Sequence, residues 1–478
     1  MDKITDAKPP FKHCGVQMNS IAMRVVTIGL MAASCASWAA SLDEPRLEHL
    51  VRTELKKLAV PSASLAVVLD GRIAYTQAFG KAQVNPDRAA ERATRYEIGS
   101  VSKQFLALAV LMLQEEGKLS LGDPAGKYLP DLGPAAQPTL RQLLSHTAGI
   151  RDYWPQDYVF TRMLTPISHA DLLNAWAVQP LDFPPGDRWQ YSNTGYTLAG
   201  VILEKVADTA VFDFLQRRVF GPLHMSSVLN VDEQSLTPTD SVGYTRAGLG
   251  PLRPAVHEGK GWLFAAGELA MTAEDLARWD ISIIDQSLMK PASYRQFETE
   301  VLLNNGAGTR YALGVDVYMA SERRVVAHGG ETSGFISRNV IYPDQRAAIV
   351  VLTNSDAADA ASAISDKLRE LVFASVSPVD EARRKQARSI FEGLRHGRLD
   401  RSVLSENALA YFTPETVQDI TRGIAPLGPI KSFELVASGT RGGMDYRVYD
   451  ITLAKRDLEL ITRSLPDGKI EQYMVAAK

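Results

Sequence analysis

Apolar residues at Leu47, Leu50, Val51, Leu55 and Leu58 recur at helical spacing and predict a helix over Glu44–Leu58. Two β-type runs follow, Ser64–Leu69 and Ile73–Phe79, joined by Asp70-Gly71, a dipeptide strongly associated with tight hairpin turns. Phe105, Leu106, Ala109 and Leu113 predict a buried helix over Ser100–Gln114. A long helical and loop-rich stretch, punctuated by Pro and Gly, comes next. Strand patterns return over Ala312–Tyr318, Arg324–Ala327, Ile336–Tyr342 and Ala347–Leu352, and Ala358–Phe373 predicts a closing helix. Strands at both ends around a helical middle imply an α/β sandwich whose antiparallel sheet is built from both ends of the domain.

The pattern breaks around Ser375 to Pro378. Beyond it, Ala387, Ile390, Phe391 and Leu394 share one face of a basic amphipathic helix over Asp380–His396. Thr413-Pro414-Glu415 starts another helix with a cap residue and a proline at its first position. Four short strands are expected from Lys431 onward, the last two turned by Asp467-Gly468. Residues 40–376 are therefore read as the main domain and residues 379–478 as a small α+β domain of cone-like type.

The first residues change the picture in another way. Arg24 precedes the apolar run Val25–Ala33, which leads into Ser34-Cys35-Ala36-Ser37-Trp38-Ala39-Ala40. A positive flank, a short apolar stretch and small residues before the cut read as a secretory signal over residues 1–39, cleaved after Ala39. The polar stretch Met1–Gln17 is unusual before such a signal and reads as an extension upstream of a start at Met18 or Met23. The expected location is the periplasm or the outside of the cell. Cys35 offers the alternative of a lipoprotein site, weakened by the missing Leu three residues before it. The apolar run is shorter than the roughly 20 residues of a membrane span.

Both cysteines, Cys14 and Cys35, precede the cut, so disulfides, a thiolate nucleophile and cysteine-bound zinc are not expected in the mature chain. A formal net charge of −3 over 478 residues gives no reason to expect a nucleic-acid or anionic-membrane partner. A small molecule or a peptide is the expected substrate, and no feature of the chain fixes an oligomeric state.

Three segments carry residue types suited to chemistry. Gly99-Ser100-Val101-Ser102-Lys103 opens the apolar helix. A serine hydroxyl needs a nearby base, residues three apart share a helix face, and burial would lower the Lys103 pKa. The plain alternative is a helix-capping serine followed by a surface lysine. Tyr191-Ser192-Asn193 offers a phenol able to share a proton with a lysine, and an amide able to hold both lysine and substrate carbonyl. Its plain alternative is a turn beside a buried tyrosine. His328-Gly329-Gly330 ends a predicted strand, where glycine would let a substrate backbone approach, and Glu331 follows with an amide suited to an oxyanion site. Alone, it reads as a turn.

Together, in this order and on these elements, the three segments resemble the penicillin-recognising serine hydrolases: β-lactamases, D,D-peptidases and related esterases and D-aminopeptidases. The resemblance is to the class C β-lactamase-like branch and covers about seven tenths of the chain, Leu47 to Phe373. Leu143-Leu144-Ser145-His146-Thr147-Ala148-Gly149, Ala266-Gly267 and Val351-Leu352-Thr353-Asn354-Ser355 extend it. It implies that Ser100 is acylated, Lys103 is its proton partner, Tyr191 is the base that later protonates the leaving group, and Asn193 orients substrate. His328, Gly330 and Glu331 would contact substrate, and His146 would be structural. True β-lactamases and most D,D-peptidases usually have lysine where this chain has His328, whereas histidine-glycine is familiar among the esterase and D-aminopeptidase relatives. The loss of permanent charge points toward esters, amides or peptides needing no carboxylate, including peptides of cell-wall origin.

A strict β-lactamase or D,D-carboxypeptidase, and a binding or sensing protein on the same fold, remain the alternatives. There is no G-x-S-x-G elbow and no H-E-x-x-H, and the carboxylates lack metal-like spacing. Gly122-Asp123-Pro124-Ala125-Gly126-Lys127-Tyr128 falls one residue short of a phosphate loop. No cofactor or metal is implied. His49, His169, His224, His257 and His396 have no evident partners in the sequence.

Overall fold

The computed structural model describes residues 42–156, 158–321, 323–373 and 378–478. The expected signal segment and the break at Ser375 lie outside the described residues. The first helix forms as predicted over Glu44–Leu58. The Asp43 carboxylate accepts the Arg46 amide at 3.1 Å, and Ala59 ends the helix in the left-handed region at φ 53°. Asp70 and Gly71 have φ of 52° and 73°, the two positive values that a type I′ hairpin turn requires.

The main sheet has seven antiparallel strands. Their order is Arg88–Ala89, Arg72–Gln83, Ser62–Leu69, Ala347–Thr353, Phe335–Tyr342, Arg323–Thr332 and Asp316–Ala320. The first long strand of the chain thus lies beside the last, with Ala63 opposite Thr353. Both are buried on two faces. Ala66, Val68, Ala348 and Val350 join the core under the helical middle. Leu65, Val67, Ile349 and Val351 join the core covered by Glu44–Leu58 and the closing helix Ala360–Phe373. Burial on both faces explains why these strands read as unbroken apolar runs.

Two departures from expectation bear on the site. The segment from Ser100 begins as a 3-10 turn, Gly99–Ser102, and becomes α-helical only over Lys103–Glu115. The strand expected from Ala312 begins at Asp316, because Gly314 at φ 76° bends the chain around the Lys103 carbonyl. A Cβ at Gly314 would stand 2.8 Å from that oxygen.

Helices Pro378–Arg395, Glu406–Tyr411 and Pro414–Ile424 precede a separate four-stranded antiparallel sheet. Phe391, Leu394, Phe412, Phe433, Tyr449 and Leu460 form its own core. Its strands are longer than expected, Ile430–Arg441 reaching 12 residues. Among the described residues no helix is long and apolar enough to cross a membrane.

Candidate active site

The turn Gly99–Ser102 is held between Leu269 and the end of the Arg323–Thr332 strand. Ile98 donates its amide to the Leu269 carbonyl at 2.9 Å, the Ser102 hydroxyl accepts the Leu269 amide at 3.2 Å, and Ser337 donates to the Ile98 carbonyl at 2.8 Å. Glycine makes this approach feasible. A Cβ on Gly330 would fall 1.9 Å from the Ile98 oxygen, and one on Gly99 would fall 2.6 Å from the Glu331 nitrogen. Gly330 therefore seats the turn that carries Ser100 instead of leaving room for a substrate backbone. The same contact sets the Glu331 amide beside the turn that carries the Ser100 amide.

Lys103 is fully buried. Its Nζ lies 2.9 Å from Ser100 Oγ, 2.8 Å from Asn193 Oδ1 and 2.7 Å from the Ala266 carbonyl. Burial is the main influence lowering its pKa to about 7, opposed by the Asp152 carboxylate. The orientation of Asn193 is set by its other side: the Asp152 carboxylate accepts the Asn193 backbone amide at 2.9 Å and Nδ2 at 3.3 Å. Nδ2 must face an acceptor, so Oδ1 faces the lysine. A neutral amine has two N–H groups and one lone pair. The amide oxygen of Asn193 and the carbonyl of Ala266 can only accept, so they take both N–H groups. The lone pair is left for the Ser100 hydroxyl proton.

Asn193 opens the helix Asn193–Ala207, with Ser192 as its cap accepting the Gly195 amide at 3.2 Å. Tyr191 immediately precedes the cap. Desolvation pushes its phenol well above the ordinary value near 10, partly offset by a hydrogen bond with Ser100. His146 clamps this residue on both sides. Its carbonyl accepts the Gln190 amide at 2.9 Å, and its Nδ1 accepts the Ser192 amide at 3.1 Å. The His146 ring lies 4.1 Å from the Tyr191 ring at 33°. Burial first, then the nearby Lys103 amine, holds its pKa well down.

His146 has φ 59°, a conformation that Asn tolerates better than most residues. His146→Asn keeps an acceptor for the Ser192 amide, whereas His146→Phe keeps the ring and leaves a buried N–H unpaired. We expect kcat to fall roughly 10- to 100-fold in the Phe variant and only a few-fold in the Asn variant. A merely structural role would instead lower the melting temperature and leave kcat per folded molecule unchanged, so both quantities are to be measured together.

His328 is buried behind these groups. Its Nδ1 donates to the Gly329 carbonyl, so Nε2 accepts from the Tyr311 hydroxyl at 2.8 Å. Burial first, then the positive charge of Lys103, lowers its pKa to about 3. Both ring nitrogens are satisfied in the neutral form, and the position usually occupied by lysine carries no charge here.

A cavity of about 1140 Å³ opens beside this cluster. Ser100, Tyr191, Asn193 and Glu331 line it; Lys103, His328 and Gly330 stand behind the surface. Asp152 and Tyr311 were not legible as site residues. Asp152 is separated from Asn193 by 41 positions and meets it only through folding. Ala266 appeared only as part of a flanking segment, and what it supplies is a backbone oxygen. Two histidines without evident partners in the sequence gain them: His257 Nδ1 lies 3.5 Å from the buried Glu97, and His169 stacks on Phe264 at 3.6 Å.

The fold and this constellation define the class of penicillin-recognising serine hydrolases. Within it the chain belongs to the Beta-lactamase family, whose model matches residues 47–372. It is 27% identical over 323 residues to Protein flp of Staphylococcus aureus (strain N315), covering 65% of this chain and 63% of that protein. The chain thus spans a little under two thirds of that relative's length. The octameric penicillin-binding protein homologue from Pyrococcus abyssi superposes with a TM-score of 0.61 at 21% identity, over 91% of this chain and 100% of that one. The D-stereospecific amidohydrolase from Streptomyces sp. gives 0.59 at 25% identity, over 69% of this chain and 99% of that one.

Proposed function

We propose that this protein is an exported serine hydrolase that opens an ester or amide, including amides of D-residues, through an acyl-enzyme on Ser100. The observation that carries the reading is the setting of Lys103, whose two fixed acceptors direct its lone pair to the serine hydroxyl. Neutral Lys103 takes the Ser100 proton as Oγ attacks the carbonyl carbon, and the amides of Ser100 and Glu331 receive the developing oxyanion. Collapse breaks the bond to the leaving group, which takes a proton from the Tyr191 phenol. The proton held by Lys103 then restores the phenol. Water enters the acyl-enzyme by the reverse sequence and releases the acid.

Neutral His328 supports substrates that need no carboxylate, and the likeness to a D-stereospecific amidohydrolase supports the amide arm. A strict β-lactamase or D,D-carboxypeptidase is the second reading, disfavoured because no fixed cation stands at His328. A binding or sensing role leaves the Ser100–Lys103–Tyr191 geometry without a purpose. Export follows from removal of residues 1–39, and residues 40–376 and 379–478 are proposed as the two domains of the mature chain.

The test is intact-mass measurement after brief incubation with a simple β-lactam and with p-nitrophenyl esters. The expected result is an acyl adduct or turnover that Ser100→Ala abolishes. A wild type that gains no mass and consumes no ester, amide or β-lactam would overturn the reading.

A further inference from the structure

We propose that the cavity beside Ser100 selects acyl groups that are bulky, apolar and aromatic-sized, and that it rejects those carrying a negative charge. This rests on the reading of Ser100 as nucleophile and Tyr191 as the acid for the leaving group, which fixes the direction of the substrate. The leaving group lies toward Tyr191 and His328. Tyr191 borders the cavity beside Ser100, but His328 and Tyr311 behind it do not, whereas Glu331, Thr332 and Ser333, at the other end of the same stretch of chain, do. The large volume therefore receives the acyl side.

One wall of that volume is aromatic. Tyr153, Trp154, Phe160 and Trp176 line it. Tyr153, Phe160 and Trp176 have their rings 5.6, 5.7 and 5.6 Å from the ring of buried Trp262. Trp262 is itself anchored, its Nε1 donating to the Thr165 carbonyl at 2.8 Å. The wall is thus backed by packed core. Phe160 and Trp176 keep only part of their surface uncovered. An acetyl group would leave this apolar surface wet, and a phenyl or branched aliphatic group would cover it.

The charges act in the same sense. Among the described residues lining the cavity, Arg151 is the only cation, and it donates to Asp182 at 3.1 and 2.9 Å. Asp152, Asp182, Glu331 and Asp356 contribute carboxylates. Asp152 is engaged by Asn193, and Asp356 accepts the Gly334 amide at 2.9 Å. An incoming carboxylate would meet this acidic lining, in which Asp182 already pairs the one cation.

The test holds the leaving group constant and varies the acyl group: p-nitrophenyl acetate, phenylacetate, 4-carboxyphenylacetate and 4-(aminomethyl)phenylacetate. After correction for spontaneous hydrolysis, kcat/KM for phenylacetate should exceed that for acetate by about 10- to 200-fold. The carboxylated ester should fall about tenfold or more below phenylacetate, and the aminomethyl ester should not. Trp176→Ala should shrink the ratio of phenylacetate to acetate. Trp154→Ala, on the same lining but outside the Trp262 cluster, supplies the same readout should the first variant fold poorly. Equal rates for acetate and phenylacetate, or preference for the carboxylated ester, overturn the inference while leaving Ser100 as the nucleophile. Release of p-nitrophenol from none of the four faster than by Ser100→Ala overturns the reading of Ser100 itself, and this inference with it.

Discussion

Lys103→Met is expected to slow acylation about 1000-fold, within the range that a positioned general base supplies. The sign of the pH dependence follows from burial. Lys103 titrates near 7 because desolvation disfavours its charged form. In the wild type, kcat/KM should therefore rise with pH through about 7 as the amine loses its proton, and fall below it as protonation removes the lone pair that faces Ser100. Lys103→Met should abolish that limb as well as the rate. His328 does not compete for the assignment, since its pKa of about 3 lies far below the window. Stopped-flow acylation by a p-nitrophenyl ester between pH 5 and 9 separates the outcomes. A limb near 7 that survives in Lys103→Met would assign the titration to another group and remove the lysine from the base role.

The parts of this arrangement that were legible in the sequence are those encoded locally. The spacing of Leu47, Val51 and Leu55 defines the first helix without help from the rest of the chain. Asp70-Gly71 specifies its own turn through two positive φ angles. Ser100 and Lys103 lie three apart, and the 3-10 geometry of Gly99–Ser102 aligns such residues more closely than the expected α-helix. What escaped depends on closure of the fold. Asp152 orients Asn193 from a different loop, the Ala266 acceptor is a backbone atom with no residue signature, and the role of Gly330 becomes visible only when Ile98 lies against it. The expected strand from Ala312 was misplaced for a related reason. Its apolar residues do suit a strand, but Gly314 yields to packing against the Lys103 carbonyl.

These long-range contacts explain why a lysine can be kept fully buried at all. A buried ammonium without partners would cost several kcal/mol, and the structure answers in two ways. It offers acceptors to the N–H groups, and it lets the pKa fall until the neutral amine is well populated. Such a group would contribute little to stability while being suited to act as a base, the relation expected where a pKa is shifted for function.

Tyr191→Phe is the complementary case, and its effect should depend on the leaving group. Desolvation holds the phenol protonated far beyond neutral pH, so Tyr191 is equipped to donate a proton and unsuited to be the resting base. An amine departing from an amide must be protonated as the bond breaks, whereas p-nitrophenolate leaves without assistance. Tyr191→Phe should therefore lower kcat/KM for an amide by about 100- to 10,000-fold, the span typical of general-acid catalysis. For the matched p-nitrophenyl ester the loss should be about tenfold or less. The ring contact with His146 at 4.1 Å is open to phenylalanine as well, so the comparison removes the hydroxyl without removing the stacking surface. Equal losses on amide and ester would mean that the hydroxyl acts before the leaving group departs, in activating or orienting Ser100. In that event the proton for the amine must come directly from Lys103, which by then carries the one it took from Ser100, and the pH limb near 7 should persist for amides as it does for esters, because attack still requires the lysine unprotonated.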